Sequence, residues 1–128
     1  MARILVIDDD DDYRDYLVAV LERAGHSAYM LPNGASLEAL VDRYDFDAVL
    51  TDLYMPEADG IETIRTLRRL APGLPILGMT AGIRSAYGDV TVRAMKLFGA
   101  KGVLFKPVDP HELLAAVDAT LRGEKIPR

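Results

Sequence analysis

The sequence predicts an α/β domain: a five-stranded parallel sheet, doubly wound, with helices on both faces. Three observations predict it. Short apolar runs alternate five times with longer stretches whose apolar residues recur at helical spacing. The first run, Ile4-Leu5-Val6-Ile7, is wholly apolar, as a strand covered on both faces is. Glycine, proline and asparagine punctuate the joints between them.

The elements follow in order. Ile4 to Ile7 is the first strand. Tyr13, Tyr16, Leu17, Val20, Leu21 and Ala24 form the stripe of the first helix, which Gly25 stops. His26 to Leu31 is the second strand, closed by Pro32-Asn33-Gly34. Leu37, Leu40, Val41 and Tyr44 mark the second helix. Ala48-Val49-Leu50-Thr51 is the third strand, with Asp52 at its carboxyl end. Ile61, Ile64, Leu67 and Ala71 mark the third helix, stopped by Pro72-Gly73. Ile76 to Thr80 is the fourth strand, and a polar loop runs from Ala81 to Gly88. Asp89 caps a fourth helix with Ala94, Leu97 and Phe98 inward and Gly99 as its stop. Gly102 to Phe105 is the fifth strand, ending at Lys106-Pro107. Asp109-Pro110-His111-Glu112 then spells a helix start: N-cap, proline at the first turn, and an acid placed to reach back. Leu113, Leu114, Val117 and Leu121 are the apolar stripe of this fifth helix.

The 128 residues read as one domain over 1–128, with a core of about 2–122, since no repeat, low-complexity tract or linker interrupts them. No output domain is expected in this chain. There is no cysteine, which removes disulfides, thiolate metal sites and a cysteine nucleophile, and accords with a cytoplasmic protein. No apolar run reaches the roughly 18 residues of a membrane span, and the amino terminus turns acidic too early for a signal peptide. The net charge is −5 and the pI 4.9, so direct nucleic-acid binding is disfavoured. No G-x-x-x-x-G-K-[ST] phosphate loop occurs.

Ligand sites in such sheets lie outside the carboxyl ends of the strands. Those positions hold Asp8 and Asp9, Asp52, Thr80 and Lys106. Asp10, Asp11 and Asp12 read as solvated acids that favour a helix N-terminus. Asp8 and Asp9 follow a buried strand directly, and hard divalent cations take one or two carboxylates plus water and phosphate oxygens. Asp52 alone reads equally as a turn former before Met55-Pro56. Beside two more acids it is the best nucleophile candidate, because aspartate forms acyl phosphates and a metal screens the charge that attack on phosphorus brings near. Thr80 supplies a hydrogen bond and Lys106 a point charge to phosphoryl oxygens. His26 and His111 read as ordinary strand-start and helix-start residues.

Together, Ile4-Leu5-Val6-Ile7-Asp8-Asp9-Asp10, Asp52-Leu53-Tyr54-Met55-Pro56 with Asp59-Gly60, Thr80-Ala81 and Lys106-Pro107 resemble the receiver domain of two-component response regulators, over nearly the whole chain. The resemblance implies the flavodoxin-like strand order 2-1-3-4-5. It implies that Asp52 is the phosphoacceptor, with Thr80 and Lys106 contacting the phosphoryl group. Asp9, Asp52 and the backbone carbonyl of Tyr54 would hold Mg²⁺ or Mn²⁺, and Asp8 would act through water. The Lys106-Pro107 bond is expected to be cis. The implied donor is a histidine kinase or a histidine phosphotransfer protein. The implied output is a shift in the face of helix four, strand five and helix five, read by an unknown downstream protein. The domain is expected to catalyse only its own phosphoryl transfer and hydrolysis, and not to be an enzyme otherwise. Homodimerisation on phosphorylation is left open.

The chain departs from the family at several points. Val103 stands where the family has an aromatic residue, and Val108 where a phenylalanine often follows Lys-Pro. The Thr80–Lys106 stretch is longer than usual, with Arg84 and Tyr87 in its loop. Tyr54 and Gly82 occupy positions that tune dephosphorylation in the family. Two other functions compete: a receiver-like scaffold that binds without phosphorylation, and a small aspartate-dependent phosphatase suggested by Asp8-x-Asp10. Asp12 breaks the phosphatase pattern.

Overall fold

The structure is a computed structural model that describes residues 2–53, 60–80, 93, 96–97 and 99–123. Five parallel strands form one sheet: β1 (Arg3–Ile7), β2 (Ser27–Leu31), β3 (Ala48–Asp52), β4 (Ile76–Thr80) and β5 (Gly102–Phe105). Their order is β2-β1-β3-β4-β5, as the receiver likeness implies. The register places Ile4 beside Ala48, Leu50 beside Leu77, and Thr80 beside Phe105.

Alternation along the strands divides the core in two. Ile4, Val6, Leu50, Leu77, Met79 and Leu104 face one side, under Leu17 and Leu21 of helix α1 (Asp11–Arg23) and Leu113 and Val117 of the C-terminal helix (Pro110–Leu121). Leu5, Ile7, Val49 and Ile76 face the other, under Leu37 of α2 (Leu37–Arg43) and Ile64 and Leu67 of α3 (Gly60–Leu70). β3 and β4 are buried along their whole length, which is why they read as unbroken apolar runs. Burying one such side chain is worth about 1.5–3 kcal/mol.

Local chemistry sets the element ends. The Asp10 carboxylate accepts the Tyr13 N–H at 3.1 Å and starts α1. Gly25, at φ 93°, turns the chain into β2. Asn33 caps a single 3₁₀ turn, Gly34–Ser36. Asp109 accepts the His111 N–H at 2.8 Å, with Pro110 in the first turn of the C-terminal helix. His26, just before β2, accepts the Ala2 N–H through Nδ1 at 3.1 Å, with Nε2 4.0 Å from Asp118.

Two helical expectations need correction. Tyr44 does not belong to the stripe of α2, because the backbone turns extended there (φ −128°, ψ 144°). Its ring packs on Tyr29 and Phe46 instead, with centroids at 4.6 and 6.1 Å. Leu97 does not point inward but is 84% exposed. Arg93, Lys96 and Leu97 are helical and all exposed, and their i, i+3, i+4 spacing puts them on one solvent-facing side. The expected cap at Asp89 and the inward Ala94 and Phe98 lie outside the described residues, as do the loop from Ala81 to Gly88, Met55, Pro56 and Asp59. Among the described residues, no helix is long and apolar enough to cross a membrane.

Candidate functional site

The carboxyl ends of β1, β3 and β5 bring the predicted acids and the lysine into one pocket. Asp8 follows β1 directly and is fully buried, Asp52 ends β3 at 5% exposure, and Asp9 is exposed beside them. Carboxylate oxygens of the three lie within 4.8 Å of one another. Lys106, just past β5, reaches back across the sheet edge. Its Nζ donates to Asp8 Oδ2 at 2.7 Å and to Asp52 Oδ2 at 3.1 Å. The Lys106-Pro107 bond is cis, as expected.

The backbone frames this cluster. Asp8 receives the Asp10 N–H on Oδ1 at 3.0 Å, and its carbonyl accepts from Arg14 at 2.7 Å. The Thr51 hydroxyl donates to the Asp52 carbonyl at 3.2 Å, and the Leu53 N–H to the Met79 carbonyl at 2.9 Å. Thr80 is buried at the end of β4, and its carbonyl accepts the Lys106 N–H at 2.7 Å. Thr80 and Lys106 therefore leave adjacent strands at the same level, as their sequence positions predict. Tyr54, the third expected metal ligand, lies outside the described residues.

Electrostatics favours the charged lysine. Burial alone would lower the pKa of the Lys106 ammonium. The hydrogen bond that Lys106 donates to Asp8 and the charges of Asp52 and Asp8 outweigh it, and hold that pKa above the ordinary 10.5. Among the described residues, three carboxylates crowd the Lys106 ammonium. The ligand set is all oxygen, from hard carboxylates, and this fits a divalent cation such as Mg²⁺ or Mn²⁺ rather than a soft metal.

Two residues at this edge are missing from the sequence reading as functional groups. Tyr13 presents its ring to the Lys106 ammonium, with Nζ 4.5 Å from the centroid. Its hydroxyl accepts the Val108 N–H at 2.9 Å, while the Tyr16 hydroxyl donates to the Val108 carbonyl at 2.8 Å. Both tyrosines read as members of an apolar helical stripe. Their only separate signal is that Tyr13 falls in the first turn after Asp8 and Asp9, at the same sheet edge.

A parallel sheet of order 2-1-3-4-5 with acids after β1 and β3 and a lysine after β5 defines a flavodoxin-like, doubly wound protein with its site at the carboxyl edge. The family model for the response regulator receiver domain matches residues 4–118. An uncharacterized 14.6 kDa protein of Leptolyngbya boryana is 38% identical over 116 residues, 89% of this chain and 86% of that protein. The chemotaxis protein CheY4 of Vibrio cholerae matches with a TM-score of 0.83 at 27% identity, over 94% of this chain and 98% of that one. A response regulator protein of Burkholderia pseudomallei, solved with a phosphorylated aspartic acid, a calcium ion and citrate, matches with a TM-score of 0.81 at 28% identity, over 96% of this chain and 70% of that one. The chain belongs to the response regulator receiver domain family, the receiver modules of two-component systems.

Proposed function

We propose that the chain is a phosphorylation-dependent switch in which Asp52 accepts a phosphoryl group from a histidine kinase or a histidine phosphotransfer protein. One observation carries this function: the Lys106 ammonium sits 2.7 Å from Asp8 and 3.1 Å from Asp52, with Asp9 beside them. A carboxylate that attacks phosphorus needs positive charge on both sides of the new bond, and this pocket supplies one side itself. The phosphorylated aspartic acid and calcium ion of the Burkholderia neighbour support the same chemistry here.

In the transfer, an Asp52 carboxylate oxygen forms a bond to phosphorus as the phosphorus–nitrogen bond of the donor phosphohistidine breaks. The bond electrons stay on the imidazole, which takes up a proton. Lys106 holds the phosphoryl oxygens by charge, and the Thr80 hydroxyl donates to one of them. Asp9 and Asp52, with the Tyr54 carbonyl, would hold Mg²⁺ or Mn²⁺, and Asp8 would orient a metal-bound water. When bound, the metal neutralises charge that builds on the phosphoryl oxygens. The domain needs no further catalytic activity of its own.

The new group adds about 1.5–2 negative charges. Lys106 then trades its hold on Asp8 for phosphoryl oxygens, and Thr80 moves with its strand end. The face of the fourth helix, β5 and the C-terminal helix carries the change to a downstream protein in the cytoplasm. Moving a 1:99 balance to 99:1 needs about 5.5 kcal/mol of differential stabilisation. Intact acids, Thr80 and Lys106 disfavour a scaffold without phosphorylation.

Acetyl phosphate with Mg²⁺ is expected to add the mass of one phosphoryl group, and Asp52→Asn to abolish the gain. A label that persists in Asp52→Asn, or that maps to Asp8, would overturn the assignment.

A further inference from the structure

The Lys106 side chain has four flexible carbons and an ammonium that must reach the same point each time a phosphoryl group arrives. Two carboxylates contact that ammonium, at 2.7 and 3.1 Å. Both are groups whose surroundings change when phosphate or metal enters, so neither is a constant anchor. The third contact is of another kind: the face of the Tyr13 ring, 4.5 Å from Nζ to centroid. A neutral ring face attracts an ammonium through its quadrupole and keeps doing so whatever the carboxylates bind.

The same tyrosine holds the backbone beyond the lysine. Its hydroxyl accepts the Val108 N–H at 2.9 Å, and Tyr16, one turn further along α1, donates to the Val108 carbonyl at 2.8 Å. Both polar backbone groups of the residue two past Lys106 are thereby fixed to α1. Tyr13 is itself held, since its N–H is the one that the Asp10 cap accepts. The two rings also pack, with centroids 5.6 Å apart.

The geometry points to Tyr13 as the positioning residue for Lys106: its ring confines the ammonium, and its hydroxyl, with that of Tyr16, fixes the backbone from which the lysine springs. It acts through Lys106 and does not itself touch the reacting atoms. The catalytic half of this inference rests on the phosphoryl-acceptor function proposed above, whereas the structural half stands without it.

The test separates ring, hydroxyl and fold. Tyr13 is replaced by phenylalanine, by phenylalanines of increasing ring fluorination, and by leucine. In the unphosphorylated full chain, the Lys106 ε-methylene proton signals are expected to be shifted upfield by the ring in wild type and Tyr13→Phe, and to return to ordinary values in Tyr13→Leu. In the fluorinated series the rate of Asp52 labelling by acetyl phosphate and Mg²⁺ is expected to fall stepwise, by about three- to ten-fold in all, at unchanged melting temperature, because fluorination drains the quadrupole and leaves the shape. Should Tyr13→Leu fail to fold, the nearly isosteric fluorinated series carries the test. Lys106 signals indifferent to Tyr13→Leu, or a labelling rate flat across the series, would overturn the proposal. A wild type that takes no phosphoryl group sinks the proposed function instead, and the proton shifts then still decide where Tyr13 holds the lysine.

Discussion

Lys106 is the residue on which the pocket balances. Its side chain is 17% exposed, and its partners Asp8 and Asp52 are 0% and 7% exposed at the side chain. Removing one partner of a buried pair leaves the other charge uncompensated, and that loss typically costs about 3–5 kcal/mol. Lys106→Met keeps the length of the stem and deletes the charge, so it is expected to lower stability by about that amount, read as a drop in the denaturant midpoint in chelator. That Asp8, Asp9, Asp52 and Lys106 would meet was legible in the sequence, because each stands at or just after the carboxyl end of a strand and such ends converge. Tyr13 was not. A tyrosine at a stripe position is indistinguishable from core until its ring is seen against an ammonium. Asp10 was read well as a helix acid, and its cap on Tyr13 gives the physical reason.

Between elements, Arg68 makes the joint that spacing could not reveal. It stands in the last turn of α3, where a cation complements the helix dipole. It also donates to three carbonyls: Pro72 at 2.6 Å, Leu74 at 3.0 Å and Gly99 at 2.8 Å. The entry to β4 and the approach to β5 are thus tied to one guanidinium. Gly99 was predicted as a helix stop, and its N–H does close on the Lys96 carbonyl at 3.1 Å. Its second role was hidden: at φ 119° a Cβ would stand 2.4 Å from Arg68 Nε. Gly99→Ala is therefore expected to destabilise by about 1–3 kcal/mol from backbone strain, with the clash adding to it. Arg68→Ala removes the clash but not the φ, so the double variant should lose less than the sum of the two singles, as a thermal-denaturation cycle would measure. The positions of β1, β3 and β4 were legible because burial on both faces leaves apolar runs. Leu97 and Tyr44 were misplaced because an apolar residue at helical spacing marks a stripe without saying which side is covered or where the helix ends.

At the scale of the whole molecule, strand order was the part that alternation alone could not supply, since four crossovers between five parallel strands fit several sheets. It came with the receiver likeness, and the buried acids at one edge are its consequence. Charge crowded at that edge makes stability depend on the solution. Millimolar Mg²⁺ is expected to raise the melting temperature, and the rise should vanish in Asp9→Asn, because a ligand that binds only the folded chain stabilises it. Alkali acts in the opposite direction. Against burial, the hydrogen bond to Asp8 and the charge of Asp52 raise the Lys106 pKa above 10.5. Burial raises the Tyr13 hydroxyl above its ordinary 10.0, although the Val108 hydrogen bond and the Lys106 charge oppose it. Both groups hold their protons more tightly folded than unfolded. The stability they confer is therefore complete below the unfolded values and is lost as pH climbs through the folded ones. Denaturant midpoints in chelator should be level in the pH 8–9 range, within which neither group titrates, and fall above about pH 10. Burial likewise raises the Tyr16 hydroxyl, so Lys106→Met and Tyr13→Phe each remove one of three such groups and each should flatten part of that fall. An alkaline limb equally steep in both variants would place the lost protons elsewhere in the chain.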